Sequence, residues 1–192
     1  MASDTRDRLV RSTSRLLRTQ GYAATGLNQV MAEAGAPKGS MYFHFPGGKV
    51  ELAAAAVDLF AARATAGMRA RLEEHATVRD AVCAIFDAYI DHLDRTAYAE
   101  GCAVATVALD AASTNEVLAA ATGRAFHAWT DMLAEALVAE GRDQAEAHSL
   151  ATLVIATIEG TITMAKGQQS TEPIAAAREA LRTILDPADV TR

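Results

Sequence analysis

The stretch TGLNQVMAEAGAPKGSMYFHFPGGKVEL, Thr25 to Leu52, leaves its backbone few alternatives. Leu27, Val30, Met31 and Ala34 recur at i, i+3, i+4 and i+7, the apolar face of a helix. Thr25 stands where a hydroxyl caps such a helix. Gly35 ends it, because the residue past a helix terminus often takes positive φ. Pro37 opens the next turn with φ already fixed and no N–H to lose. The second helix, Lys38 to Phe45, is about two turns long. Met41 and Phe45 share its inner side. Lys38, Gly39, Ser40, Tyr42, Phe43 and His44 point away from the core.

That second helix is too short to be stable alone, and it shows two aromatics and a histidine to the outside. A helix-turn-helix module explains both features: the first helix braces the second, which lies in the major groove of DNA. Gly39 then permits close approach of the backbone to the duplex. Lysine, serine, tyrosine and histidine are donors that phosphates need. Lys49 follows the Pro46-Gly47-Gly48 break and opens a third helix, whose free N–H groups favour an anion.

Charge distribution agrees with that placement. The formal net charge of −6 taken alone argues against a nucleic-acid partner. Residues 1–49, however, carry seven basic against three acidic side chains, and the remainder eleven against twenty-one. A basic head on an acidic body suits a protein that meets DNA at one end.

These residues resemble the DNA-binding signature of the TetR/AcrR family of bacterial repressors. The matching positions are Gly21-Tyr22, Thr25, Ala34-Gly35, Lys38-Gly39-Ser40, Tyr42, His44-Phe45, Lys49 and Leu52. The run PKGSMYFHFPGGK, together with GCAVATVALDAAS at Gly101 to Ser113, is similar to the LmrA/YxaF-like branch. Pro37 is a departure, since many relatives place Ser or Thr before the recognition helix. The resemblance implies a homodimer on a near-palindromic operator, released by a small molecule; Cys83 and Cys102, read as reduced thiols, point to the cytoplasm. It places Lys38, Gly39, Ser40 and Phe43 near base edges, and Thr25, Tyr42, His44 and Lys49 at phosphates.

Half of the 192 residues are apolar, proline is scarce, and few runs alternate strictly, so the expected fold is all-α. About nine helices are expected, three in a DNA-binding domain over residues 1–48 and six in an effector-binding and dimerisation domain over 49–192. The first helix, Ser3 to Gln20, has an apolar stripe of Leu9, Leu16 and Leu17 and five arginines, some of them expected near phosphates. A long helix to Glu74 leaves the head. Thr77 caps the next; a short one runs from Cys102 to Ala112; Thr114 or Asn115 caps one that Gly141 stops. Asp143 and Glu146 make a capping box for a helix closed by Gly167, and Thr171 starts the last. Between Leu150 and Ile158 only Thr152 and Thr157 interrupt an apolar run. A helix apolar nearly all round must be covered on more than one side. With the amphipathic helix after it, it reads as half of a four-helix dimer interface, through Ile155, Ile158, Ile162, Ala177 and Leu181.

No cofactor or catalytic motif is present: there is no phosphate-binding glycine loop, no GxSxG and no HExxH. His127 and Asp131 share a helix face, but one such pair is ordinarily a surface hydrogen bond, not a metal site. Cys83 and Cys102 form no CxxC; the alternatives for Cys102 are inert packing and a redox switch. No stretch of about 18 unbroken apolar residues exists, so no membrane partner is expected. Candidate walls for an effector are Phe86, Tyr89, Cys102, Thr106, Phe126, Trp129, Met132 and Thr163, with Glu159 or His127 as polar anchor. They supply aromatic faces and few charges, so the ligand is expected to be flat and hydrophobic or aromatic, uncharged or weakly cationic. Two other readings compete. One is an architectural DNA binder without effector, which leaves the aromatic-bearing acidic body unexplained. The other is a helical enzyme with a vestigial DNA module, which needs convergent titratable groups that the chain lacks.

Overall fold

Gly21, at φ +82°, interrupts an otherwise helical run near the N-terminus. A computed structural model describes residues 2–37 and 39–186, with side chains from Asp4 onward. Its elements are α1 (Ala2–Ala24), α2 (Leu27–Glu33), α3 (Ser40–His44), α4 (Gly48–Glu74), α5 (Val78–Arg95), α6 (Ala103–Ala111), α7 (Glu116–Ala139), α8 (Gln144–Gln168) and α9 (Glu172–Ile184). The described residues are all-α, without a strand.

The chain divides into two compact units, and the division falls within α4 and α7. The first holds the residues up to Arg63 together with Cys102–Ala125. Here α1 packs on α2, α3 and α6. Leu9, Leu17, Val30, Met41, Phe45, Leu52, Val104, Val107 and Leu118 are buried in its core. Arg8 Nε donates to the Ala34 carbonyl at 2.9 Å, and Arg15 Nε to Glu33 Oε1 at 2.7 Å, tying α1 to α2 and the turn after it. Arg6 lies over the Phe45 ring and Arg18 over Phe60. Four of the five arginines of α1 therefore already have partners inside the unit, where some were expected near phosphates.

The second unit holds Ala64–Gly101 and the described residues from Phe126 onward. Here α5 and α8 both pack on α9. Val82, Ile85, Phe86, Leu93, Leu133, Leu137, Val154, Ile174 and Leu185 form its core.

Several caps fall where a short polar side chain precedes an apolar run. Thr77 accepts from the Asp80 N–H at 3.1 Å, Asn115 from Leu118 at 3.1 Å and Asp143 from Glu146 at 3.4 Å. Gly141 ends α7 at φ +98°. Other expectations need correction. Gly26, not Thr25, is the N-cap of α2, because the Thr25 hydroxyl donates instead to the Gly21 carbonyl at 2.6 Å. Helix α8 continues through Gly167 and stops at Gln169, which takes the left-handed conformation; its backbone N–H donates to the Ala165 carbonyl and its side-chain amide to the Lys166 carbonyl. Thr171 does start α9 as its N-cap, without a side-chain hydrogen bond; the Ser170 hydroxyl accepts from the Glu172 N–H.

Helix α8 is long and apolar enough to cross a membrane by length and composition. One face of it is nevertheless core: Ala147, Ala151, Val154, Ile155, Ile158, Ile162 and Ala165 are buried. That overturns part of the expected dimer surface. Ile155, Ile158, Ile162 and Leu181 are buried within the subunit, and Ala177 is half-buried. An all-round apolar helix does not reveal by periodicity which face turns inward. The apolar side chains left exposed on α8 and α9 include Leu153, Ala156, Met164, Ala176, Ala180 and Ile184.

Candidate nucleic-acid interface

The exposed face of α3 is built by its buried one. Met41 and Phe45 are 0% exposed, which anchors a helix too short to hold itself. Tyr42 and Phe43, between them, are 62% and 77% exposed. Large aromatics that stand this far into solvent on a well-anchored helix make a contact surface. His44 meets the edge of the Phe43 ring at 5.0 Å. The Ser40 hydroxyl donates to the Pro37 carbonyl at 2.7 Å, closing the turn before the helix. Lys38 lies outside the described residues. Gly39 is the N-cap of α3, with nothing near the position of a Cβ.

Below α3, Gly48 at φ +70° starts α4, and Glu51 accepts from the Gly47 N–H at 2.8 Å. Lys49 sits with its Nζ 4.3 Å from the Tyr22 ring centroid and donates to the Ala23 carbonyl at 3.4 Å. Burial lowers the Lys49 pKa, and the Asp110 carboxylate acts in the opposite direction. Burial raises that of the Tyr22 phenol. Thr25 is buried.

This arrangement of α1, a bracing α2 and a short exposed α3 matches a family model described as bacterial regulatory proteins, tetR family, over residues 9–56. A second model, transcriptional regulator LmrA/YxaF-like, C-terminal domain, matches residues 79–180. The uncharacterized HTH-type transcriptional regulator Rv0196 of Mycobacterium tuberculosis is 34% identical over 185 residues, 94% of this chain and 93% of the relative. This chain belongs to the TetR family. The HTH-type transcriptional regulator LmrA of Bacillus subtilis is 32% identical over 171 residues, 89% of this chain and 91% of its own. A solved TetR transcriptional regulator from Chloroflexus aurantiacus superposes with a TM-score of 0.81 at 29% identity, covering 95% of this chain and 94% of that one. The chain is thus a transcriptional regulator of the DNA-binding repressor type. TetR-type regulators are not enzymes, and they usually act as dimers.

The expected effector residues of this TetR regulator divide between the two units. In the second, Trp129 is buried, its indole N–H donates to Thr65 Oγ1 at 3.0 Å, and Phe126 meets its ring edge-on at 5.7 Å. Phe86 and Met132 are buried; Tyr89 and Glu159 are half-buried. His127 and Thr163 are exposed, and the Thr163 hydroxyl donates to the Glu159 carbonyl one turn back. Cys102 and Thr106 belong to the first unit. Cys102 is the N-cap of α6, its sulfur accepting from the Ala105 N–H at 3.5 Å, and Thr106 donates to the Cys102 carbonyl. Elsewhere in the second unit a groove of about 970 Å³ is lined by Asp131, Glu135, Val138, Asp143 and His148.

Sequence reasoning passed over Asp110. It lies in the Gly101 to Ser113 stretch that carried the resemblance, and its Oδ2 accepts from the Tyr22 N–H at 2.8 Å and the Ala23 N–H at 3.4 Å.

Proposed function

We propose that this chain is a cytoplasmic, ligand-released repressor that binds a near-palindromic operator as a homodimer. The observation that carries the reading is the exposed Tyr42–Phe43 face on a helix pinned by fully buried Met41 and Phe45. Lys38, Gly39, Ser40 and Phe43 meet base edges in this reading; Tyr42, His44 and Lys49 meet phosphates. Thr25 contributes by holding the Gly21 carbonyl, since its own hydroxyl is buried. Functionally, residues 1–48 read DNA and 49–192 sense and dimerise. A reading without a membrane is supported by the buried face of α8, which belongs to the subunit core.

The test is selection of duplexes from a random-sequence pool by the full-length chain. A twofold-symmetric site bound by two chains is expected. Lys49→Ala should weaken binding to all sequences alike and flatten the salt slope by about one. A variant that changed sequence preference but kept the slope would refute the phosphate role.

The effector site is proposed beside Trp129, with Phe86, Tyr89, Phe126 and Met132 as apolar walls and Glu159 as polar anchor. His127 and Thr163 are exposed, and this reading leaves them out of that wall. Helix α4 supplies both Thr65, the partner of Trp129, and Lys49 at its opposite end. A ligand that displaces Trp129 therefore acts on the helix that follows the recognition helix, and a change in the spacing of two recognition helices releases a two-half-site operator. A flat aromatic compound found by its stabilisation of the protein on heating should change Trp129 fluorescence and lose effect on Trp129→Ala. A compound that releases DNA with Trp129 emission unchanged, and still acts on the variant, would put the pocket elsewhere.

A further inference from the structure

The Gly21–Thr25 turn connects α1 to α2, and it is held by side chains from elsewhere in the same unit. At Gly21 the positive φ breaks the helix. N–H groups that follow a break have lost their partners one turn back. For Tyr22 and Ala23 the missing acceptor is supplied by Asp110 of α6, at 2.8 and 3.4 Å. On the other side, the Gly21 carbonyl accepts from Thr25 and the Ala23 carbonyl from Lys49. The approach of α6 is close. A Cβ on Gly21 would stand 2.6 Å from Asp110 Oδ2 and 3.3 Å from Thr106 Cγ2, one turn earlier on α6.

We propose that Asp110 is a positioning residue for DNA binding: its carboxylate fixes the Gly21–Thr25 turn, and with it the way α2 and α3 are presented to the duplex. This rests on the DNA-binding reading and adds to it a residue that touches no DNA. The role is at odds with its charge. An acid at the DNA-binding end repels phosphate, so charge alone makes Asp110 unfavourable for binding. The two backbone hydrogen bonds, with the Lys49 ammonium nearby, offset that repulsion.

The opposed signs make the test decisive. Asp110→Asn keeps the size and one acceptor oxygen but removes the charge. Asp110→Ala removes both. The probe is a duplex selected from a random pool by the wild-type chain, whose own binding tests the DNA-binding reading separately. Positioning predicts that Asp110→Ala binds about tenfold more weakly than wild type at an unchanged salt slope. It also predicts that Asp110→Asn binds as tightly as wild type or tighter. Without DNA, hydrogen exchange at the Tyr22 and Ala23 amides should quicken in Asp110→Ala and stay slow in Asp110→Asn. The proposal is overturned if Asp110→Ala binds as well as wild type. It is also overturned if Asp110→Asn is as weak as Asp110→Ala, or if the two amides exchange alike in both variants.

Discussion

Replacing Ala156 with arginine is expected to leave the subunit folded and make it a monomer. Ala156 lies on the exposed side of α8, so the substitution costs the isolated subunit little, within about 0.5 kcal/mol. In a twofold interface the change occurs twice, once from each chain. Two unpaired guanidinium groups removed from water cost several kcal/mol, enough to dissociate a dimer of ordinary affinity. Sedimentation at micromolar concentration should give a single-chain mass. Binding to a two-half-site duplex should fall by about a hundredfold or more, because the second half-site is no longer tethered to the first. Ile158→Ala is the control. Ile158 is buried inside the subunit, so its truncation should cost about 2–5 kcal/mol of stability and leave the interface surface unchanged. A dimer that survives Ala156→Arg would show that the exposed side of α8 is not the interface.

The same helix marks the boundary of what the amino-acid sequence alone reveals. That the apolar run of α8 has no polar stripe was legible, and cover on more than one side is the expectation drawn from it. Which side the subunit itself covers was not, since it depends on where α5 and α9 lie. Local signals fared better. Thr77 and Asp143 cap as expected because a side chain reaching three residues ahead needs no tertiary partner. Thr25 failed as a cap because of a competing local bond: its hydroxyl is taken by the Gly21 carbonyl four residues back, at the kink. In the candidate site, the inward Met41 and Phe45 and the outward Tyr42 and Phe43 follow from helical spacing alone. Asp110, 88 residues from Tyr22 in the chain, does not, and nothing in its neighbours announces a backbone acceptor. The effector walls were read from composition, so exposed His127 and Thr163 were grouped with buried Trp129.

Phe45→Ala should remove DNA binding by unseating the recognition helix, whereas Phe43→Ala should change what that helix reads. Phe45 is fully buried, and truncation of a buried phenylalanine costs about 3–5 kcal/mol. Arg6, itself exposed, also loses the ring it covers at 5.1 Å, worth about 0.5–1 kcal/mol more. Helix α3 has only five residues and no stability of its own to oppose that loss. Local unfolding of α3 then precedes unfolding of the rest, because proteins open in separate cooperative units. Trp129 lies in the other compact unit, so its fluorescence should report an undisturbed second unit while all duplexes are bound weakly. Phe43, at 77% exposed, supports no core. Phe43→Ala should melt within a few degrees of wild type and retain phosphate-driven binding with an unchanged salt slope. Its effect belongs in the ratio between selected and random duplexes, reduced by about 1–3 kcal/mol for a lost base contact. If Phe43→Ala kept the full ratio, the exposed aromatic would not be reading bases. If Phe45→Ala bound DNA normally, the anchoring argument for α3 would fall with it.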